Sequence, residues 1–84
     1  MKPVTIYGNA TCPYCGAARM LLTRKGIPFT DIDVSGDTEL FAEMKQRSNG
    51  STVPQIFIGE VPIGGFDALD ALDRSGELDN ILAA

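Results

Sequence analysis

Apolar and polar positions fall in short blocks along the chain, and the blocks predict seven elements. Residues 3 to 7, Pro3-Val4-Thr5-Ile6-Tyr7, form a β-branched apolar run that reads as a strand with a central place in its sheet. Gly8-Asn9-Ala10-Thr11 is the loop that follows, with Thr11 placed to cap the next helix. That helix runs to about Lys25. Ala17, Met20, Leu21 and Arg24 recur along it at helical intervals, Met20 and Leu21 read as core, and Gly26 is its stop. Pro28 precedes a second strand, Phe29 to Val34, with Phe29, Ile32 and Val34 as its apolar positions. Ser35-Gly36-Asp37 is a turn in which Asp37 caps a second helix, Thr38 to Ser48, carrying Leu40, Phe41 and Met44 and ended by Asn49-Gly50.

Gln55 to Ile58 reads as a third strand. A tight turn at Gly59 returns the chain as a fourth, Glu60 to Ile63, so this half of the sheet is an antiparallel hairpin. In the third helix, about Phe66 to Arg74, Phe66, Leu69 and Leu72 face inward while Asp67, Asp70 and Asp73 form a solvated acidic stripe. Gly76 ends it, and Leu78, Ile81 and Leu82 pack a last turn onto the core. The order β-α-β-α-β-β-α predicts an α/β domain, a mixed four-stranded sheet with three or four helices on its two faces. The right-handed crossover rule makes its first two strands parallel. No repeat, linker or low-complexity stretch divides the chain, so residues 1–84 are expected to be one domain.

The chemistry gathers at Thr11-Cys12-Pro13-Tyr14-Cys15, which holds the only two cysteines, where the first strand turns into the first helix. A static disulfide across so small a loop would add little, because its stabilisation comes mainly from constraining a long loop. The first turn of a helix leaves backbone N–H groups unpaired and carries partial positive charge. Cys12 stands just before that turn, where thiol pKa values fall to roughly 3.5–7.5 from about 8.5. Pro13 suits the first helical position, since its missing N–H would be unpaired there anyway. Cys15 lies about one turn further in and is more shielded. The expected roles separate accordingly: Cys12 attacks, and Cys15 resolves the mixed disulfide that forms.

A CxxC pair beside a βαβ pattern is a thioredoxin-like signal. Two later stretches strengthen it: Thr52-Val53-Pro54 before the third strand and Ile63-Gly64-Gly65-Phe66-Asp67 before the third helix. With Cys12-Pro13-Tyr14-Cys15 these motifs resemble the glutaredoxin family, in order and spacing, over nearly the whole chain. The resemblance implies a thioredoxin-like fold, a cis Pro54 beside the nucleophile, and a glutathione groove between the three motifs. Carried over, Tyr14 flanks the glutathione peptide, Val53 offers it backbone hydrogen bonds, and Phe66 and Asp67 hold its γ-glutamyl end at a helix N-terminus. Thr52, Pro54 and Gly65 complete the implied glutathione contacts. The chain departs from the family pattern at Asn9, where many members carry lysine, and at Phe41, where many carry arginine or glutamine directed at a glutathione carboxylate.

Composition narrows the partners. The formal net charge is −4 and the pI about 4.5. This argues against nucleic acid and anionic membranes, which select basic surfaces. No apolar run approaches a membrane span, no leading segment reads as a signal peptide, and a lone reactive thiol pair points to a reducing cytoplasm. The activity that the resemblance implies is glutathione-dependent reduction of protein disulfides and glutathionylated proteins, expected of a cytoplasmic monomer with glutathione as co-substrate and no bound metal. Two alternatives keep the dithiol: reduction by a thioredoxin-reductase-type flavoenzyme, and a glutathione-assisted iron–sulfur carrier. For the carrier, thiolates suit soft metals, but one chain supplies two thiols and no histidine.

Overall fold

A computed structural model describes residues 1–84. Strands β1 (Val4–Gly8), β2 (Thr30–Asp33), β3 (Gln55–Ile58) and β4 (Val61–Gly64) form one sheet in the order β2-β1-β3-β4. β1 pairs parallel with β2, with Tyr7 opposite Ile32, and antiparallel with β3, with Ile6 opposite Ile56. β3 and β4 are antiparallel across the two-residue loop Gly59-Glu60, where Gly59 supplies a positive φ of 59°. The helices are α1 (Pro13–Arg24), α2 (Thr38–Ser48), α3 (Phe66–Ser75) and α4 (Glu77–Ala83). This is the thioredoxin-like fold.

The alternation of β1 divides the core between the two faces of the sheet. Val4 and Ile6 join Ile56 and Ile58 of β3 against Ala18, Leu21 and Leu22 of α1, Leu69 of α3, and Leu78 and Leu82 of α4. Tyr7 and Phe57 point the other way, onto Val34 and Met44, with Leu40, Phe41 and Val53 packed around them. Phe41 is half-buried there. The C-terminal turn forms a short helix of its own, and Leu78 and Leu82 bury as expected.

Three local expectations change and one, the Asp37 cap, holds. Met20 is 63% exposed and lies outside the core. Helix α1 starts at Pro13 and buries Cys15, Ala18, Leu21 and Leu22, and that face turns Met20 to solvent. β2 is shorter than the apolar run around it: Phe29 and Val34 flank it, and its own residues are largely exposed because it is the edge strand. Asp37 does cap α2, its Oδ1 accepting the Leu40 N–H at 3.0 Å. The acidic stripe of α3 is only partly solvated: Asp70 accepts from Arg74 Nε at 2.9 Å, and Asp73 lies 2.7 Å from Lys25 Nζ.

Candidate active site

Gly8 ends β1, and the four residues after it carry the chain into α1. Asn9 Oδ1 accepts from the backbone N–H of Thr11 at 3.2 Å and from its hydroxyl at 3.3 Å, tightening the turn. Thr11 is therefore not the helix cap. Pro13 takes the first helical position, which makes Cys12 the cap, with φ −81° and ψ 119°. Its Sγ accepts the Cys15 N–H at 3.4 Å. A sulfur thus occupies the place where a serine or aspartate oxygen usually satisfies a first-turn amide.

Cys15, one turn on, is completely buried. It lies against Gly8, where a Cβ would stand 2.7 Å from the Cys15 Sγ. Both thiols are free, Cys12 partly accessible and Cys15 enclosed. Their surroundings drive them apart electrostatically. Partial burial pushes the Cys12 thiol up, but hydrogen bonds from the Cys15 thiol and from the Cys15 and Tyr14 amides, with the charge of Arg19, outweigh it and hold Cys12 below its ordinary value. Burial first, and the neighbouring Cys12 sulfur second, push Cys15 up to about 11. The pair therefore ionises at Cys12, and Cys15 keeps its proton.

The loop before β3 closes the other side. The Val53-Pro54 peptide is cis. The Val53 carbonyl lies 3.8 Å from Cys12 Sγ, within reach of a thiol donating to it. Buried Gln55 holds this loop, its Nε2 donating to the Thr52 carbonyl at 2.9 Å. The rings of Tyr14 and Phe66 stack with centroids 6.3 Å apart. Between these walls runs an open groove of about 410 Å³, lined by Tyr14, Thr52, Val53, Pro54, Gly65, Phe66, Asp67 and Ala68. Gly65 holds the N-cap position of α3 and has no side chain to satisfy the first-turn amides. Asp67 stands in that first turn, where the helix dipole favours a negative charge.

The seven expected glutathione contacts thus line one groove, Cys12 Sγ reaches its Val53 wall, and Cys15 is buried beneath Cys12. The glutaredoxin family model matches residues 4–63. Over its full length the chain is 51% identical to a glutaredoxin of Pseudomonas aeruginosa, covering all of both chains. This chain belongs to the glutaredoxin family. It is a glutathione-dependent thiol–disulfide oxidoreductase. Glutaredoxin 3 of Escherichia coli is 48% identical over 82 residues, 98% of this chain and 99% of that one. Among solved structures, the glutaredoxin of Brucella melitensis matches with a TM-score of 0.85 and 52% identity, covering 98% of this chain and 89% of that one. A buckwheat glutaredoxin in complex with glutathione matches with a TM-score of 0.88 and 27% identity, covering 98% and 77%.

Three residues at this glutaredoxin site were not singled out from the sequence. Ala68 lines the groove, and its place directly after Asp67 was the available signal. Gly8, read as loop, is the floor under Cys15. Arg19, four positions after Cys15, shares its helix face, and helical spacing alone would have placed it near the thiols. The two departures from the family pattern do other work here. Asn9 braces the turn before Cys12, and Phe41 packs in the core with Lys45 Nζ 5.9 Å above its ring.

Proposed function

We propose that the reaction runs through Cys12 as nucleophile and Cys15 as resolving thiol. The Cys12 thiolate attacks a disulfide sulfur, the S–S bond breaks, and the departing thiolate takes a proton. With a protein disulfide, Cys15 then attacks Cys12, releases the reduced substrate and leaves a Cys12–Cys15 disulfide. Two glutathione molecules return that disulfide to the dithiol and leave as oxidised glutathione. With a glutathionylated protein, Cys12 takes up the glutathionyl group and a second glutathione removes it. The observation that carries this division is the placement of Cys12 Sγ on the first-turn amide of α1 while Cys15 is buried beneath it.

Glutathione occupies the groove beside Cys12 in this reading. Val53 offers it backbone hydrogen bonds, Tyr14, Thr52, Pro54 and Gly65 line the peptide, and Phe66 and Asp67 receive the γ-glutamyl end at the start of α3. The buckwheat relative's complex with glutathione supports this placement. The substrates are disulfide-bonded and glutathionylated proteins, met in the cytoplasm by a single domain spanning residues 1–84 and acting as a monomer. No helix is long and apolar enough to cross a membrane. The test is trapping: reaction with oxidised glutathione under quenching conditions should give one adduct by mass spectrometry, on Cys12. An adduct confined to Cys15 would reverse the assignment.

A further inference from the structure

Arg19 sits one turn after Cys15 on α1 and is fixed at both ends of its guanidinium. Nε donates to Asp31 Oδ2 on β2 at 2.7 Å, and Nη2 donates to the Asn9 carbonyl at 3.2 Å, in the loop leading to Cys12. The Arg19 side chain is 23% exposed and that of Asp31 41%. The position a Cβ on Gly8 would take lies 2.7 Å from Cys15 Sγ and 3.5 Å from Arg19 Nη2, so these two atoms are no more than about 6.2 Å apart. A permanent positive charge is thus pinned beside a thiol that has no access to water.

That thiol has the harder task in the reaction. To resolve a mixed disulfide Cys15 must lose its proton, and burial opposes the thiolate. The titratable or charged groups that face it are few. Cys12 lies at the start of α1 and Arg19 one turn after Cys15, and Asp31 and Asp33 come from β2. Asp33 is engaged with Ser35, whose N–H and hydroxyl both donate to its Oδ1. Tyr7 points to the opposite face of the sheet, and Val53, Pro54 and Gln55 carry no charge. Once Cys12 is in a mixed disulfide it bears no charge. The Asn9 backbone N–H and the Arg19 charge then both act on Cys15 in the favourable direction, and Arg19 is the one of the two that carries a charge.

We propose that Arg19 is a positioning residue for the resolving step: its guanidinium, held between Asp31 and the Asn9 carbonyl, stabilises the Cys15 thiolate as it attacks Cys12. The proposal rests on the assignment of Cys15 as resolving thiol. In the step itself the Cys15 proton passes to solvent, and the thiolate lone pair attacks Cys12 Sγ. The bond from Cys12 to the substrate sulfur breaks as the Cys12–Cys15 bond forms. The departing thiolate takes a proton from solvent, and Arg19 keeps its own throughout, since a guanidinium does not deprotonate in proteins. Asp31 has two effects of opposite sign: it places Arg19, and its own charge offsets part of the effect.

The test reads the Cys15 thiolate by ultraviolet absorbance against pH in a Cys12→Ser background, where Cys15 is the only thiol. Adding Arg19→Met should raise the Cys15 titration by about 0.5 to 1 pH unit, consistent with a charge near 6 Å in a partly screened site. Arg19→Lys should recover part of the shift. Asp31→Asn, which keeps an acceptor oxygen but removes the charge, should lower the titration. In otherwise wild-type protein glutathionylated at Cys12, intramolecular release of glutathione at pH 7 should slow about two- to five-fold with Arg19→Met. That is less than the thiolate fraction alone implies, because a more basic thiolate is the better nucleophile. An unmoved titration in Arg19→Met overturns the proposal even if release slows, since Arg19 would then be only a structural tie. If Arg19→Met does not fold, Arg19→Gln decides by the same titration, and an unmoved value there overturns it. Release of glutathione at the wild-type rate by Cys15→Ser would overturn the resolving role itself and this proposal with it, whatever the titrations give.

Discussion

Gly8 and Cys15 are packed so closely that a Cβ on the glycine would come within 2.7 Å of the cysteine sulfur. Nothing cheap can yield, because Cys15 is a short side chain enclosed on every side. Gly8→Ala should therefore destabilise the protein by ~1–3 kcal/mol, the usual cost of an extra methyl group in a full core. It should also impair reduction of protein disulfides more than turnover of small glutathione mixed disulfides, which need no internal resolver. Denaturant unfolding and the two assays check this. In a Cys15→Ala background, where the sulfur is gone, the cost of Gly8→Ala should largely vanish, and a double-mutant cycle reads the coupling directly.

Removing each thiol in turn separates their roles. Cys12→Ser should abolish reduction of every disulfide, since the remaining thiol is buried. Cys15→Ser should keep turnover of glutathionylated substrates, where glutathione resolves the intermediate, and lose protein disulfides that require an intramolecular partner. Equal loss in both variants with both substrates would contradict the proposed division.

The pH dependence follows from the split between the two thiols. Cys12 ionises below the ordinary thiol value of about 8.5, held there by hydrogen bonds from Cys15 and Tyr14 and by Arg19. Its attacking form is the deprotonated one, so alkylation should quicken as pH rises through the lowered pKa and level off above it. Cys15, pushed up to about 11, should contribute no second step below pH 10. Iodoacetamide kinetics followed from pH 4 to 10 should show one inflection, and an inflection at the ordinary value would contradict the capped geometry.

The motif residues were legible because each belongs to a short local pattern. Cys12 to Cys15 define a helix start, Thr52 to Pro54 a strand entry, and Gly65 to Asp67 another helix start, and chain order was enough to bring them together. What stayed hidden depends on how elements rotate against one another. Met20 and Leu21 read alike as apolar helix positions. Only the demand that Cys15 lie on Gly8 turns α1 so that Leu21 buries and Met20 does not. The Thr11 cap failed for a related reason, since a cysteine sulfur took the role that residue statistics assign to an oxygen. The Arg19–Asp31 pair joins α1 to β2 across twelve residues, and no periodicity of one element can show it.

On the face away from the thiols, buried Tyr7 donates its hydroxyl to Glu43 Oε2 at 2.7 Å and accepts from Arg47, whose guanidinium also lies 4.6 Å over the Phe57 ring. Tyr7→Phe removes the shared hydroxyl and should lower stability by ~1–2 kcal/mol, between the values for neutral and charged hydrogen bonds. Thiol reactivity should be unchanged, because Tyr7 and Cys15 lie on opposite faces of the sheet. A changed alkylation rate would mean that the two faces are coupled.

Asp67 offers the sharpest test of the groove. It is exposed, stands in the first turn of α3, and lines the groove together with Phe66 and Gly65. If it receives the ammonium of a γ-glutamyl group, its charge contributes as an accessible ion pair, ~0.2–1 kcal/mol. At ~1.4 kcal/mol per tenfold, Asp67→Asn should raise KM for a glutathionylated peptide by about 1.5- to 5-fold. kcat should hold, because Cys12 is untouched. The loss should shrink in high salt, which screens the wild-type pair. A small disulfide without a γ-glutamyl group should show no change in KM, and that comparison isolates recognition from any general effect of the substitution on α3. An equal rise for both substrates would place the effect in the helix, where an aspartate in the first turn is worth ~0.3–1 kcal/mol to stability, and would remove Asp67 from the glutathione site.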